Sequence, residues 1–132
     1  MLAKIIKFKK IVEDNASLSV FQENESIPFN SKRSFTVITT KNSFRGDHAH
    51  KNCHQFLICL KGEIKVNVDD GTNQQVFIIK ENDDYGIYIP PLIWASQSSI
   101  KDENILLVIA SDLFKNSDYI RDKKEFLNYI KK

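Results

Sequence analysis

Apolar and polar side chains alternate with period 2 along most of this chain, the pattern of strands that bury one face. Residues 5–10 and 17–21 form two such stretches around the turn cluster Glu13-Asp14-Asn15. Pro28 and Asn30-Ser31 interrupt the pattern, and residues 33–40 resume it with β-branched and aromatic side chains. Lys41-Asn42-Ser43 predicts a loop. Residues 56–60 are apolar on both faces, which suits a central strand, and Gly62 ends the run. Residues 63–68 alternate cleanly with Ile64, Val66 and Val68 facing in. Asp70-Gly71 then predicts a hairpin turn into a return strand over 76–79. Residues 85–89 precede Pro90-Pro91, a further strand is expected over 92–95, and residues 105–110 predict a second buried strand.

After residue 117 the period changes. Ile120, Phe126, Leu127 and Ile130 recur at roughly helical spacing, Ser117-Asp118 offers an N-cap, and lysines at the end suit the helix dipole. Some nine short strands and one terminal helix predict an all-β sandwich or small barrel with a C-terminal helix. The chain has no internal repeat, low-complexity segment or linker, so a single domain over 1–132 is expected.

Composition narrows the function classes. Nineteen Lys and Arg against 17 Asp and Glu leave a net charge of +2, too small for a non-specific nucleic-acid binder. The N-terminus lacks a long apolar segment with a cleavage site, and no run of about 18 apolar residues occurs, so neither leader nor membrane span is expected. Cys53 and Cys59 alternate with large apolar residues in one short segment, which predicts buried or half-buried free thiols and a cytoplasmic protein.

The stretch from Arg45 to Gly62 holds all three histidines and carries the chemistry. On a strand, His48 and His50 point to one face with Cβ atoms roughly 6.5–7 Å apart. Two imidazoles on one wall can ligate a metal, move protons or hold an anionic substrate. His54, one residue before Gln55, reads as a rim or surface residue.

His48-Ala49-His50, then Gln55, then Gly62 resemble the first motif of the cupin barrel, a small jelly roll. Metal-binding cupins are implied to place a glutamate at Gln55 and a further histidine on a later strand, where this chain has Ala95. Two imidazoles and a neutral amide make a poor divalent site, so no metal and no cofactor are expected.

The wider pattern resembles the TDP-sugar 3,4-ketoisomerases. It comprises Arg45-Gly46, His48-Ala49-His50-Lys51, Gln55, Gly62, Asp70-Gly71, Gly86-Ile87-Tyr88-Ile89-Pro90-Pro91, Trp94, Ala110-Ser111-Asp112 and Ser117-Asp118-Tyr119-Ile120-Arg121-Asp122. The resemblance runs from about residue 32 to about residue 126. It implies a metal-free homodimeric cupin that converts dTDP-4-keto-6-deoxy-D-glucose into a dTDP-3-keto-6-deoxyhexose, toward 3-amino-3,6-dideoxy sugars of surface glycans. The product's C4 configuration, galacto or gluco, stays open. The hydrogen on C3 is acidified by the C4 carbonyl, and a neutral imidazole suits both its removal and its return through an enediol.

By resemblance His48 and His50 are the acid/base pair, His50 at C3 and His48 at the C4 oxygen or carbon. Arg45 is expected on the pyrophosphate or the developing enolate oxygen. Arg33 approaches the same anion or is solvated. Gln55 is expected to bind substrate, or else hydrogen-bonds inside the barrel. Tyr88 and Trp94 line the sugar or thymine pocket, or fill the barrel core. Tyr119 and Arg121 are expected to tie the terminal helix to the barrel. Where relatives carry an active-site tyrosine before the histidines, residues 34–37 offer no phenol, and Trp94-Ala95 stands where many have Trp-His. The alternatives are a dTDP-sugar 3,5-epimerase, a metal-dependent cupin such as a dioxygenase, and a non-catalytic sugar-nucleotide-binding module.

Overall fold

A computed structural model describes residues 3–131, and among them twelve strands and one helix form. In chain order these are β1 (Lys4–Lys7), β2 (Lys9–Glu13), β3 (Ala16–Val20), β4 (Arg33–Thr40), β5 (Phe44–His50), β6 (Gln55–Lys61), β7 (Glu63–Asp69), β8 (Gln74–Lys80), β9 (Tyr85–Ile89), β10 (Trp94–Ser99), β11 (Glu103–Ala110), β12 (Tyr119–Ile120) and α1 (Lys123–Ile130). Two five-stranded sheets, ordered β1-β9-β6-β11-β4 and β12-β5-β10-β7-β8, face each other, while β2 and β3 form a separate hairpin. All of the strand pairings are antiparallel. This is an all-β barrel with a C-terminal helix, as the alternation predicts, in the jelly-roll form that the cupin resemblance implies.

Three apolar layers hold it together. Leu57, Cys59, Ile87, Leu106 and Val108 of the first sheet meet Ile64, Val66, Val68, Ile79 and Ala95 of the second inside the barrel. Behind the first sheet lie Phe8, Ile27, Phe29, Phe56, Ile58 and Ile109. Behind the second, Phe126 of α1 packs with Ala49, Trp94 and Ile120. β6 is therefore buried on both faces, which is why its sequence is a continuous apolar run. Each fully buried large side chain such as Phe56 or Leu57 contributes about 1.5–3 kcal/mol by leaving water.

Two elements depart from the sequence pattern. The strand expected over 92–95 begins only at Trp94, because Leu92 takes a left-handed φ of 62°, and it runs on to Ser99 through polar residues. β10 lies between β5 and β7, so ladder hydrogen bonds rather than side-chain hydrophobicity hold its polar half. The helix starts at Lys123, with Asp122 at its N-cap position, not at Ser117-Asp118. Those two residues sit in a 3-10 turn over Asn116–Asp118, and Tyr119 and Ile120 pair with His50 and Ala49 as a short sheet edge.

Candidate active site

A cavity of about 260 Å³ opens at one end of the barrel, and Arg45, Gly46, His48, Gln55, Gln97, Phe114, Tyr119 and Arg121 are among its lining residues. A second, enclosed hollow of about 10 Å³ lies deeper, against His48, His50, Cys53, Gln55, Ala95 and Gln97. His48, Gln55 and Gln97 line both. A larger groove beneath the β2–β3 hairpin is shallow and carries no imidazole.

A β-bulge in β5 arranges the mouth of the barrel. His48 pairs with Ala95 and Gly46 with Ser96, which leaves Asp47 as the extra residue. Gly46 and Asp47 both have positive φ, 79° and 64°. In a regular strand Arg45 and His48, three residues apart, would face opposite sides. The bulge reverses that parity, and both side chains line the same cavity. Asp47 turns outward and accepts a hydrogen bond from Trp94 Nε1 at 2.9 Å.

His48 and His50 do share a face, with ring centroids 5.1 Å apart. Tyr119 closes the cluster, its ring 4.9 Å from that of His48 and 4.4 Å from that of His50. His50 Nδ1 lies 2.9 Å from Asp118 Oδ2. Asp118 is itself held by the Asn52 backbone N–H at 2.7 Å. The carboxylate thus fixes the tautomer with hydrogen on Nδ1 and leaves Nε2 as the free base nitrogen. That Nε2 is buried without a hydrogen-bond partner among the described residues, as is Arg33 Nε.

Electrostatics keep both rings neutral at physiological pH. Burial, with His50 and Arg121 nearby, pushes His48 down to about 4. Burial also lowers His50, against the opposing hydrogen bond and charge of Asp118. Asp118 is raised by burial, but hydrogen bonds from His50 and from backbone N–H groups outweigh this and hold it below the usual carboxylate value. A carboxylate, two neutral imidazoles and arginines at the mouth suit proton transfer on an anionic substrate.

The predicted residues divide. His48, Gln55 and Arg45 line the larger cavity, and His50 joins His48 and Gln55 at the smaller one. Arg33 stacks its guanidinium 5.3 Å from the Phe35 ring centroid and 5.7 Å from that of Phe114, at the cavity wall. Tyr88 and Trp94 are corrections. Tyr88 points to the outer face of the first sheet, where its hydroxyl meets His54 Nδ1 at 2.7 Å beside Phe29. Trp94 points to the outer face of the second sheet and packs on Phe126. In each strand the neighbouring residues, Ile87 and Ile89 or Ala95, are the ones that face inward. His54 is half-buried on that outer wall, not on the cavity rim.

Tyr119 and Arg121 are a third correction, since they line the cavity instead of only tying down the helix. The sequence pattern offers Asp118 only as a cap and as part of a family motif, and does not mark Gln97 or Phe114 as cavity residues. An acid after Ser117 has the local pattern of a cap, and nothing local marks it as the partner of a histidine 68 residues away. The cupin metal positions hold two imidazoles, an amide at Gln55 and a methyl group at Ala95, a donor set without an anionic ligand.

Residues 1–131 match the family described as FdtA: WxcM-like, C-terminal. A TDP-4-oxo-6-deoxy-alpha-D-glucose-3,4-oxoisomerase of Aneurinibacillus thermoaerophilus is 38% identical over 130 residues, 98% of this chain and 93% of that protein. The crystal structure of QdtA, a sugar 3,4-ketoisomerase from Thermoanaerobacterium thermosaccharolyticum in complex with TDP, superposes with a TM-score of 0.92. It is 32% identical and covers 99% of this chain and 97% of its own. WlaRA, a TDP-fucose-3,4-ketoisomerase from Campylobacter jejuni, superposes with a TM-score of 0.90 at 35% identity over 98% of this chain and 96% of its own.

Proposed function

The chain belongs to the FdtA, WxcM-like family, and from that premise we propose how its cavity works. The protein is a TDP-sugar 3,4-ketoisomerase acting on a TDP-linked 4-keto-6-deoxyglucose. The observation that supports this most is the pair of neutral imidazoles at the barrel mouth, one of them oriented by a buried carboxylate.

His50 Nε2 takes the hydrogen from C3, and the electrons of that bond move to the C4 carbonyl oxygen. Asp118 steadies the imidazolium that results. Neutral His48 serves the C4 side, taking the hydrogen of the C3 hydroxyl at one ring nitrogen and giving one to the C4 oxygen from the other. The His50 imidazolium, after exchange with solvent, returns its proton to C4 carbon. Loss of the O3 hydrogen leaves the carbonyl at C3. One hydrogen leaves C3 and one arrives at C4, with no net oxidation. The low pKa of His48 keeps its ring neutral for this relay. Arg45 and Arg121 line the cavity, and in this reading their guanidinium groups hold the diphosphate.

The protein works as a homodimer in this reading. Val12 and Leu18 on the β2–β3 hairpin and Ile38 on the edge strand β4 are exposed apolar residues suited to a second copy. Two buried free thiols fit a reducing compartment.

Incubation with the TDP-4-keto-6-deoxy sugar in D2O tests the reaction. A 3-keto product with deuterium at C4 is expected. Deuterium at C5 instead would make the protein an epimerase, and binding without any exchange would make it a sugar-nucleotide-binding module.

A further inference from the structure

Cys53 has no part in the isomerisation, yet it stands beside the machinery. His50 is the last residue of β5, and Cys53 follows it after a two-residue turn. This His-x-x-Cys spacing brings two donors back on one side, as in short chelating loops. Asp118 arrives from the far end of the chain, pinned by Asn52 N–H inside that turn. One donor atom each from His50, Cys53 and Asp118 lies within 4.8 Å of the other two. The residues are 6%, 2% and 9% exposed, so the group is buried.

We propose that His50, Cys53 and Asp118 form a site for a thiophilic divalent cation, zinc or cadmium, that switches the enzyme off. The set is chemically complete for such an ion. A nitrogen, a sulfur and a carboxylate oxygen give three ligands, and a tetrahedral centre keeps its fourth position for water. One thiolate and one carboxylate neutralise a dication, which suits a buried location. Ligand atoms around zinc stand roughly 3.5 Å apart, so the loop has to close by about 1 Å. The enclosed hollow touches both His50 and Cys53 and lies next to the open cavity, with His48, Gln55 and Gln97 lining both.

Inhibition follows from the tautomer, and this step rests on His50 being the C3 base. An ion on Nδ1 displaces the hydrogen shared with Asp118, and the ring then carries its hydrogen on Nε2. Cys53 loses its thiol proton to solvent, so one proton is released per ion. The nitrogen that must accept the C3 hydrogen is no longer free.

Cobalt(II) titration of the purified protein reads the site without any turnover. A thiolate-to-cobalt charge-transfer band in the near ultraviolet is expected in the wild type and in Cys59→Ser, and is lost in Cys53→Ser and Cys53→Ala. Because the chain has two cysteines, the Cys59→Ser spectrum alone assigns the sulfur should the Cys53 variants fail to fold. In parallel, micromolar zinc should lower isomerase activity more than about tenfold, reversibly with a chelator, and Cys53→Ser should keep basal activity while losing at least that much sensitivity. No charge-transfer band in the wild type, or equal zinc inhibition of Cys53→Ser, overturns the proposal. Absence of isomerase activity in metal-free protein overturns the functional reading and leaves the cobalt spectrum to report on the site by itself.

Discussion

His50 Nδ1 and Asp118 Oδ2 meet at 2.9 Å across 68 residues of sequence, and both side chains are buried. The contact exists because β12 adds itself to the free edge of β5, with Tyr119 opposite His50. One short sheet edge thereby gives the His50 imidazole its orientation.

Asp118→Asn tests that orientation. The amide can still accept the Asn52 N–H through its oxygen, but it carries no charge to stabilise an imidazolium. A drop in kcat on the order of a hundredfold or more, with KM little changed, is expected. Equal kcat in the two proteins would remove Asp118 from the mechanism.

The pH dependence of activity is set by keeping the imidazoles neutral. His48 titrates at about 4 and His50 also below its ordinary value, so kcat/KM should stay flat through neutrality and fall only in the acid range. A fall already centred near pH 6.5, the ordinary histidine value, would show that burial does not control these rings.

Stability should follow the same groups. Between pH about 6.5 and 4 an unfolded His48 binds protons that the folded one refuses, so the unfolded state gains as pH is lowered through that window. Asp118, held low, contributes stability above its unfolded value that is lost as pH falls through the folded one. Both act in one direction. Urea midpoints are expected to be lower at pH 5 than at pH 7, and an unchanged or higher midpoint at pH 5 contradicts the assignment.

Gly46→Ala addresses the bulge. At φ 79° an added Cβ would come 2.8 Å from Gln97 Oε1. Strain of about 1–3 kcal/mol is expected, relieved by rearranging the bulge and so misplacing Arg45 relative to His48. Activity should fall by more than the loss of stability explains. A variant with wild-type turnover would show that the bulge does not set the site.

Tyr88→Phe checks the outer wall. It removes the hydrogen bond to His54 and leaves the cavity untouched. A cost of about 1 kcal/mol in stability with unchanged kcat and KM is expected. A large rise in KM would bring Tyr88 back as a substrate contact.

The alternation of apolar and polar residues determined most of the barrel by itself. Residues 33–40 and 85–89 are strands as the pattern predicts, and the inward set Ile64, Val66 and Val68 is the buried one. His-x-His placed two imidazoles on one face because period 2 is a property of the strand alone. Period 2 does not say which face of a strand looks into the barrel when both are covered. Tyr88 and Trp94 sit on strands whose two faces are both packed, and only the closing of the sheets, with α1 and the Phe29 segment behind them, decided that they face outward. The bulge at Asp47 reversed the parity between Arg45 and His48, and β12 carried Asp118 to His50. Local pattern sees neighbours a few residues apart, whereas these contacts depend on ladder register and on an edge strand from the far end of the chain.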